Sequence, residues 1–288
     1  MSDDTVPTLV DPTWLENRLD APDVQVLDCT VHLSTDGSGE YQLEPGYDDW
    51  ADAHVPGSAF ADLTEDLSET DDPDYPFQLP TPADFAAAVG DLGVSNDSRL
   101  VLYDTVDAGN NNEWAARLWW LFRVFGHDRV GVLDGGWARW TAGDRPVSTT
   151  VTEPEPATFT ADYRPELVAD KDDVAARLDD DDACLINALQ PSDHAAQRIP
   201  NSENVPAVGE DAVITDDGTY QSEETLRGRF ADVGATEAEA VITYCGGGIA
   251  ASSQALALYQ AGVTDAAVYD GSLSEWTADP DRPVEGDE

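Results

Sequence analysis

Cys245 sits between an apolar run, residues 240–244, and a helical pattern that opens at Ile249, and the three positions between them, Gly246, Gly247 and Gly248, are all glycine. A thiol at the end of a buried strand, followed by a loop without side chains and then a helix, meets inward-turned backbone N–H groups and the positive end of the helix dipole. Such a nest holds an anion and favours the thiolate, which is the nucleophilic form of cysteine. The arrangement predicts covalent catalysis at Cys245. The alternatives for the same residues are an inert buried cysteine before a turn, or a nucleotide loop that contains a cysteine. A dinucleotide loop needs Gly-x-Gly-x-x-Gly and a phosphate loop needs Gly-Lys-Ser/Thr, and neither spacing is present. A cysteine phosphatase needs an arginine six residues after the nucleophile to hold the phosphoryl oxygens, where this chain has Ala251. Cys29 and Cys184 lie in apolar runs and read as packing residues. The three cysteines show neither a pairing pattern nor metal-ligand spacing, so no disulfide framework and no metal site is expected.

The elements that must position this loop are short apolar runs alternating with amphipathic stretches, the pattern of α/β units whose parallel strands are buried on both faces. Strands are predicted over residues 24–28, 99–104, 130–133, 183–187, 240–244 and 266–269, and helices over 81–92, 113–125, 221–230 and 249–261. A repeat runs through them. Val-Leu-Asp-Gly-Gly-Trp-Ala-Arg-Trp at 132–140 matches Val-Tyr-Asp-Gly-Ser-Leu-Ser-Glu-Trp at 268–276, and His-Val-Pro-Gly-Ser at 54–58 matches Arg-Ile-Pro-Asn-Ser at 198–202. The strand ending at Asp104 matches the one ending at Cys245, so three landmarks recur in one order 136 to 144 residues apart. Two homologous domains are expected, over residues 1–145 and 166–288. The Pro, Thr and Glu-rich stretch 146–165 reads as their linker.

The composition narrows the partners. Of 288 residues, 41% are hydrophobic and eight are tryptophan, enough for real cores despite a formal charge of −45. Trp119, Trp120, Trp137 and Trp140 are expected in packing roles, not in a ligand box. The 59 acidic residues are spread along the whole chain, against 14 basic ones of which only Lys171 is lysine. That self-repulsion is expected to need screening by molar salt, pointing to a salt-adapted cytosol. With no basic stripe to neutralise phosphates, nucleic acid and anionic membranes are not expected as partners. No apolar run approaches membrane-spanning length and Met1–Val10 has no leader pattern, so a cytoplasmic location is expected.

The Cys-Gly-Gly-Gly-Ile-Ala loop, the Asp-Gly-Ser-Leu-Ser-Glu-Trp segment, and the run Arg-Leu-Trp-Trp-Leu-Phe-Arg-Val-Phe-Gly-His at 117–127 followed by Leu-Asp-Gly-Gly-Trp resemble the tandem-domain rhodanese family. The likeness covers the chain from about Val10 to Val284. It implies two rhodanese-like domains, each a parallel sheet flanked by helices, with the active cysteine only in the second and Asp104 in its place in the first. It also implies thiosulfate or 3-mercaptopyruvate sulfurtransferase chemistry: Cys245 takes sulfur from a small anionic donor, carries it as a persulfide held by the N–H groups of Gly246, Gly247, Gly248, Ile249 and Ala250, and passes it to cyanide or a thiol. No cofactor enters. A persulfide relay for thiolation or cluster assembly is the alternative.

The chain also departs from the family. Thiosulfate-type members carry basic residues just after the cysteine, the mercaptopyruvate type carries Cys-Gly-Ser-Gly, and animal members place substrate-gripping arginines after the strand that here ends near Ile186. This chain has none of these, and Arg198 and His194 are the candidate replacements. By the same resemblance, His54 is a candidate to reach substrate.

Overall fold

The computed structural model describes residues 5–35, 41–107 and 110–287. Met1–Asp4, on which the leader reading partly rests, lie outside them. In the first half the sheet strands are β1 (Leu9–Val10), β2 (Val24–Asp28), β3 (Ala59–Phe60), β4 (Arg99–Tyr103) and β5 (Val130–Leu133). All pair in parallel, in the order β1-β5-β4-β2-β3. In the second half β6 (Val168–Ala169), β7 (Ala183–Asn187), β8 (Glu203–Asn204), β9 (Ala240–Tyr244) and β10 (Ala267–Tyr269) pair in parallel in the order β6-β10-β9-β7-β8. The two orders are identical once five is added to each number, so the motif repeat is a repeat of topology. Every residue of β4 and β5 is buried, as expected of strands covered by helices on both faces.

The helices are α1 (Pro12–Glu16), α2 (Tyr47–Asp52), α3 (Pro82–Asp91), α4 (Glu113–Val124) and α5 (Gly136–Ala142), then α6 (Lys171–Ala175), α7 (Pro191–Ala196), α8 (Glu223–Asp232), α9 (Ile249–Ala261) and α10 (Ser272–Trp276). Their starts follow capping chemistry. Thr81 accepts the N–H of Asp84 ahead of Pro82, and Asp170 with Asp173 forms a capping box. The α8 helix starts two residues later than predicted because the Ser222 hydroxyl takes the N–H of Thr225 and so becomes the cap.

Equivalent residues anchor both cores. In the first, Val10, Val26, Val55, Val101, Tyr103 and Trp140 pack together; in the second, Ala169, Leu185, Ile199, Ile242, Tyr244 and Trp276 do so. The Tyr103 hydroxyl accepts the Val55 N–H at 3.2 Å and Tyr244 accepts that of Ile199 at 3.0 Å. Trp140 donates to Pro146 O at 2.9 Å and Trp276 to Pro283 O at 2.8 Å. Each bond gives a buried polar tip its partner. Trp119 and Trp120 are likewise buried in packing roles, with Arg123 and Arg117 over their rings.

One expectation needs correction. The chain divides into two compact units: one takes in the described residues up to Thr70, Leu79–Tyr163 and Asp217–Thr219, the other Asp71–Gln78, Arg164–Asp216 and Tyr220 onward. The supposed linker over 146–165 is mostly part of the first unit. Ser148 and His54 exchange two backbone bonds, Ala157 donates to Gly90 O, Asp162 donates to Phe125 O, and Phe159 is buried against Phe85 and Phe122. A non-periodic sequence can still bury one aromatic and pair its backbone with a neighbour, which composition does not reveal.

Candidate active site

Strand β9 delivers Cys245 just past its C-terminal end, and the chain then turns through three glycines into α9. Only the third glycine is required by backbone geometry: Gly248 has φ +83°, the left-handed region that costs an L side chain strain. Its N–H donates to Cys245 Sγ at 3.1 Å, so a backbone donor faces the sulfur. The N–H groups of Ile249 and Ala250 open the first turn of α9, where a helix has no acceptor of its own to offer. A Cβ on Gly246 would meet nothing within 4 Å, and one on Gly247 only Ser274 Oγ at 3.8 Å. The first two glycines therefore leave open space beside a thiol that is itself 3% exposed.

The opposite wall of the loop is the turn into α10. The Ser272 hydroxyl accepts the Cys245 N–H at 3.0 Å, donates to Tyr269 O at 2.8 Å and lies 4.0 Å from Sγ. The Leu273 N–H donates to Cys245 O, and both the N–H and the hydroxyl of Ser274 donate to Gly246 O. Ser272 stands at φ +49°, and the residue in the same repeat position of the first half, Gly136, has φ +52°. A serine held where its counterpart is glycine marks strain that its hydrogen bonds offset, and such outliers gather at functional sites. Sequence reasoning missed Ser272 as a site residue. The signal was present: alignment of the two repeats places serine opposite glycine in the half that carries the cysteine.

In the first half the equivalent nest is filled by the protein itself. Asp104 is fully buried, and its Oδ2 accepts the N–H groups of Trp114 at 2.8 Å and Ala115 at 3.0 Å in the first turn of α4. Burial pushes its carboxyl up, against the pull of those two donors. No thiol stands there. Burial, with the nearby acids Asp104 and Asp28, pushes the Cys29 thiol well up, and burial, helped by Glu203, pushes Cys184 up to about 11. Both sulfhydryls donate to backbone carbonyls, and neither environment favours a thiolate.

Asp28 supplies a test of this buried acid cluster. Burial pushes its carboxyl up to about 6, opposed by the hydroxyl and N–H of Thr30. A carboxyl raised in the folded state binds its proton more tightly than in the unfolded chain. Its stabilising contribution is therefore fully present below about pH 4 and is lost as pH rises through about 6. Asp28→Asn keeps the acceptor and stays neutral. Its Tm relative to wild type should thus be higher at about pH 7.5 than at about pH 5, and equal differences at both pH values would contradict the assignment.

Arg198 and His194 are brought together with each other but not with the Cys245 loop. The Arg198 guanidinium pairs with Glu285 at 3.7 Å and Asp287 at 2.9 Å, and its backbone exchanges two bonds with Glu285. Arg198 also lines a cavity of about 640 Å³ with Arg177, Glu203 and Glu285, and no residue of the 245–250 loop lines it. His194, its carbonyl bonded by Arg198, has an imidazole pushed down by burial and by that guanidinium. Arg198 is thus already paired with two carboxylates near the end of the chain. His54 is buried at 1% exposure, stacked on Trp50 with Nδ1 2.6 Å from Trp50 O, and packs within its own unit. No group of His, Cys, Asp or Glu among the described residues is arranged to hold a metal, and no described helix is long and apolar enough to cross a membrane.

Known proteins resemble this chain over most of its length. The model of the rhodanese-like domain matches twice, over residues 11–143 and 170–279. Thiosulfate sulfurtransferase of Rattus norvegicus is 36% identical over 284 residues, covering 93% of this chain and 91% of the relative. 3-Mercaptopyruvate sulfurtransferase of Escherichia coli strain K12 is 31% identical over 283 residues, covering 94% and 95%. The crystal structure of the 3-mercaptopyruvate sulfurtransferase SseA from Escherichia coli superposes with a TM-score of 0.78 at 29% identity, covering 93% of this chain and 99% of that one.

Proposed function

Because the chain belongs to the rhodanese family and is a sulfurtransferase, we propose that sulfur crosses it as a persulfide on Cys245. The Cys245 thiolate attacks the outer sulfur of thiosulfate or the thiol sulfur of 3-mercaptopyruvate. A sulfur–sulfur bond forms, and the electron pair of the broken bond leaves on sulfite, or on pyruvate, which keeps the donor's proton as part of its methyl group. Cyanide or a thiolate then takes the terminal sulfur, and the Cys245 thiolate is regenerated. No metal or organic cofactor takes part in these steps. The observation that carries this reading is the Gly248 N–H aimed at Sγ. The next N–H groups along the turn into α9, those of Ile249 and Ala250, continue the same row of donors. They receive the terminal persulfide sulfur much as an oxyanion hole receives oxygen.

The space beside Gly246 and Gly247 is where the anionic part of the donor sits, received by backbone amides and not by Arg198 or His194. A donor series tests this: thiosulfate and 3-mercaptopyruvate compared for kcat/KM at high potassium chloride, with intact-protein mass spectrometry for one added sulfur atom on Cys245. Absence of that adduct with both donors would remove the proposal. A Cβ at position 246 would meet nothing within 4 Å, which makes it the place to add a cation. Gly246→Lys should therefore raise kcat/KM for dianionic thiosulfate about ten-fold relative to 3-mercaptopyruvate, through one added charge contact; an unchanged ratio would move the donor elsewhere. A surface at a net charge of −45 fits an enzyme adapted to molar salt.

A further inference from the structure

The turn that walls the Cys245 loop begins at Asp270, and the two halves of the chain hold this position differently. In the first half the equivalent Asp134 is paired by Arg139 at 2.6 Å, five residues on in α5. In the second half the residue in the place of Arg139 is Glu275, so the local cation is gone. Glu275 instead pairs with Lys171 at 3.2 Å and accepts the Tyr269 hydroxyl at 2.8 Å. Asp270 nevertheless stays buried, at 2% exposure, and a buried carboxylate is costly without a donor. One donor comes from far along the chain. The segment Asp71–Gln78 belongs to the second compact unit, and its Tyr75 hydroxyl reaches Asp270 Oδ2 at 3.2 Å.

That segment is built to hold a shape. Pro73 and Pro76 restrict it, Phe77 takes φ +58°, and the Asp74 N–H is bonded by the Gln78 side chain. From Asp270 the connection to the nucleophile is short. Two residues on, the Ser272 hydroxyl holds the Cys245 N–H, and Leu273 and Ser274 hold the carbonyls of Cys245 and Gly246. A shift of Asp270 moves the strained Ser272, and with it the wall against which the thiol is aligned.

We propose that Tyr75 is a positioning residue of this site, acting through Asp270 on the turn that sets the Ser272 hydroxyl and the Cys245 loop. The inference rests on the reading of Cys245 as the nucleophile. It makes a residue from the first half of the chain part of the working site of the second.

The test is Tyr75→Phe in the full chain, read in two ways. One is steady-state sulfur transfer. The other is the rate at which iodoacetamide alkylates Cys245, followed on the peptide that carries it, which needs no sulfur donor. Loss of one hydrogen bond to a carboxylate is expected to lower both kcat and the alkylation rate by about ten-fold, with KM changed by less than about two-fold. In an Asp270→Ala background, and separately in a Ser272→Ala background, the same substitution should add almost nothing, because the path is already cut. The two backgrounds keep the test decisive if one of them folds poorly. An alkylation rate in Tyr75→Phe equal to that of wild type overturns the inference, as does an undiminished loss in both backgrounds or an effect confined to KM. If wild-type protein transferred no sulfur, the proposed function would fail while the alkylation arm still judged Tyr75.

Discussion

Cys245→Ser should lose sulfur transfer by about a thousand-fold or more while keeping the fold, as removal of a covalent nucleophile does when the rest of a site is left in place. The substitution is nearly isosteric and the position is 3% exposed, so packing is preserved. The Gly248 N–H still finds an oxygen to donate to, and the backbone bonds of residue 245 to Ser272 and Leu273 do not involve the side chain. What changes is the anion. A serine hydroxyl ionises far above neutral pH, and a hydrogen bond of the kind seen at Sγ cannot lower it enough to supply an alkoxide. Thiocyanate formation measures the first part of the expectation, and the thermal midpoint, unchanged within a few degrees, measures the second. Turnover within about ten-fold of wild type would remove Cys245 from the mechanism.

Dilution from about 2 M to about 0.1 M potassium chloride should lower the Tm by more than about 10 °C, reversibly. With 59 acidic and 14 basic residues, ion pairs can compensate only a minority of the carboxylates. Several basic groups are spent on pairs of their own, as Arg198 is with Glu285 and Asp287 and Lys171 with Glu275. Exposed acidic stretches such as Asp71, Asp72 and Asp74, and Asp179, Asp181 and Asp182, repel across distances that a Debye length of about 10 Å at 0.1 M leaves unscreened and one of about 3 Å at 1 M does not. Potassium chloride is the right salt because it screens without the strong surface exclusion of sulfate. A Tm indifferent to chloride over that range would return the surface to an ordinary acidic one.

The sequence by itself determined the class of fold and singled out the candidate nucleophile. Buried parallel strands must be written as continuous apolar runs, which is why 130–133, 183–187 and 240–244 could be bounded to the residue. A glycine loop between such a run and a helix leaves few roles for a cysteine. The repeat was legible for the same local reason: turn motifs such as Asp-Gly-Gly-Trp and Asp-Gly-Ser-Leu carry their geometry in adjacent residues. Tertiary structure alone decided which groups surround the sulfur. Arg198 was a candidate cation after the strand that ends near Ile186, yet it is tied to Glu285 and Asp287, 87 and 89 residues later. Tyr75 carries no motif, yet it bonds Asp270 across 195 residues. The stretch 146–163 looked like a spacer and is packed against the first unit. Backbone conformation follows from neighbours a few positions away, whereas the partner of a buried charge is whatever donor the folded chain brings within about 3 Å, and no local pattern records that.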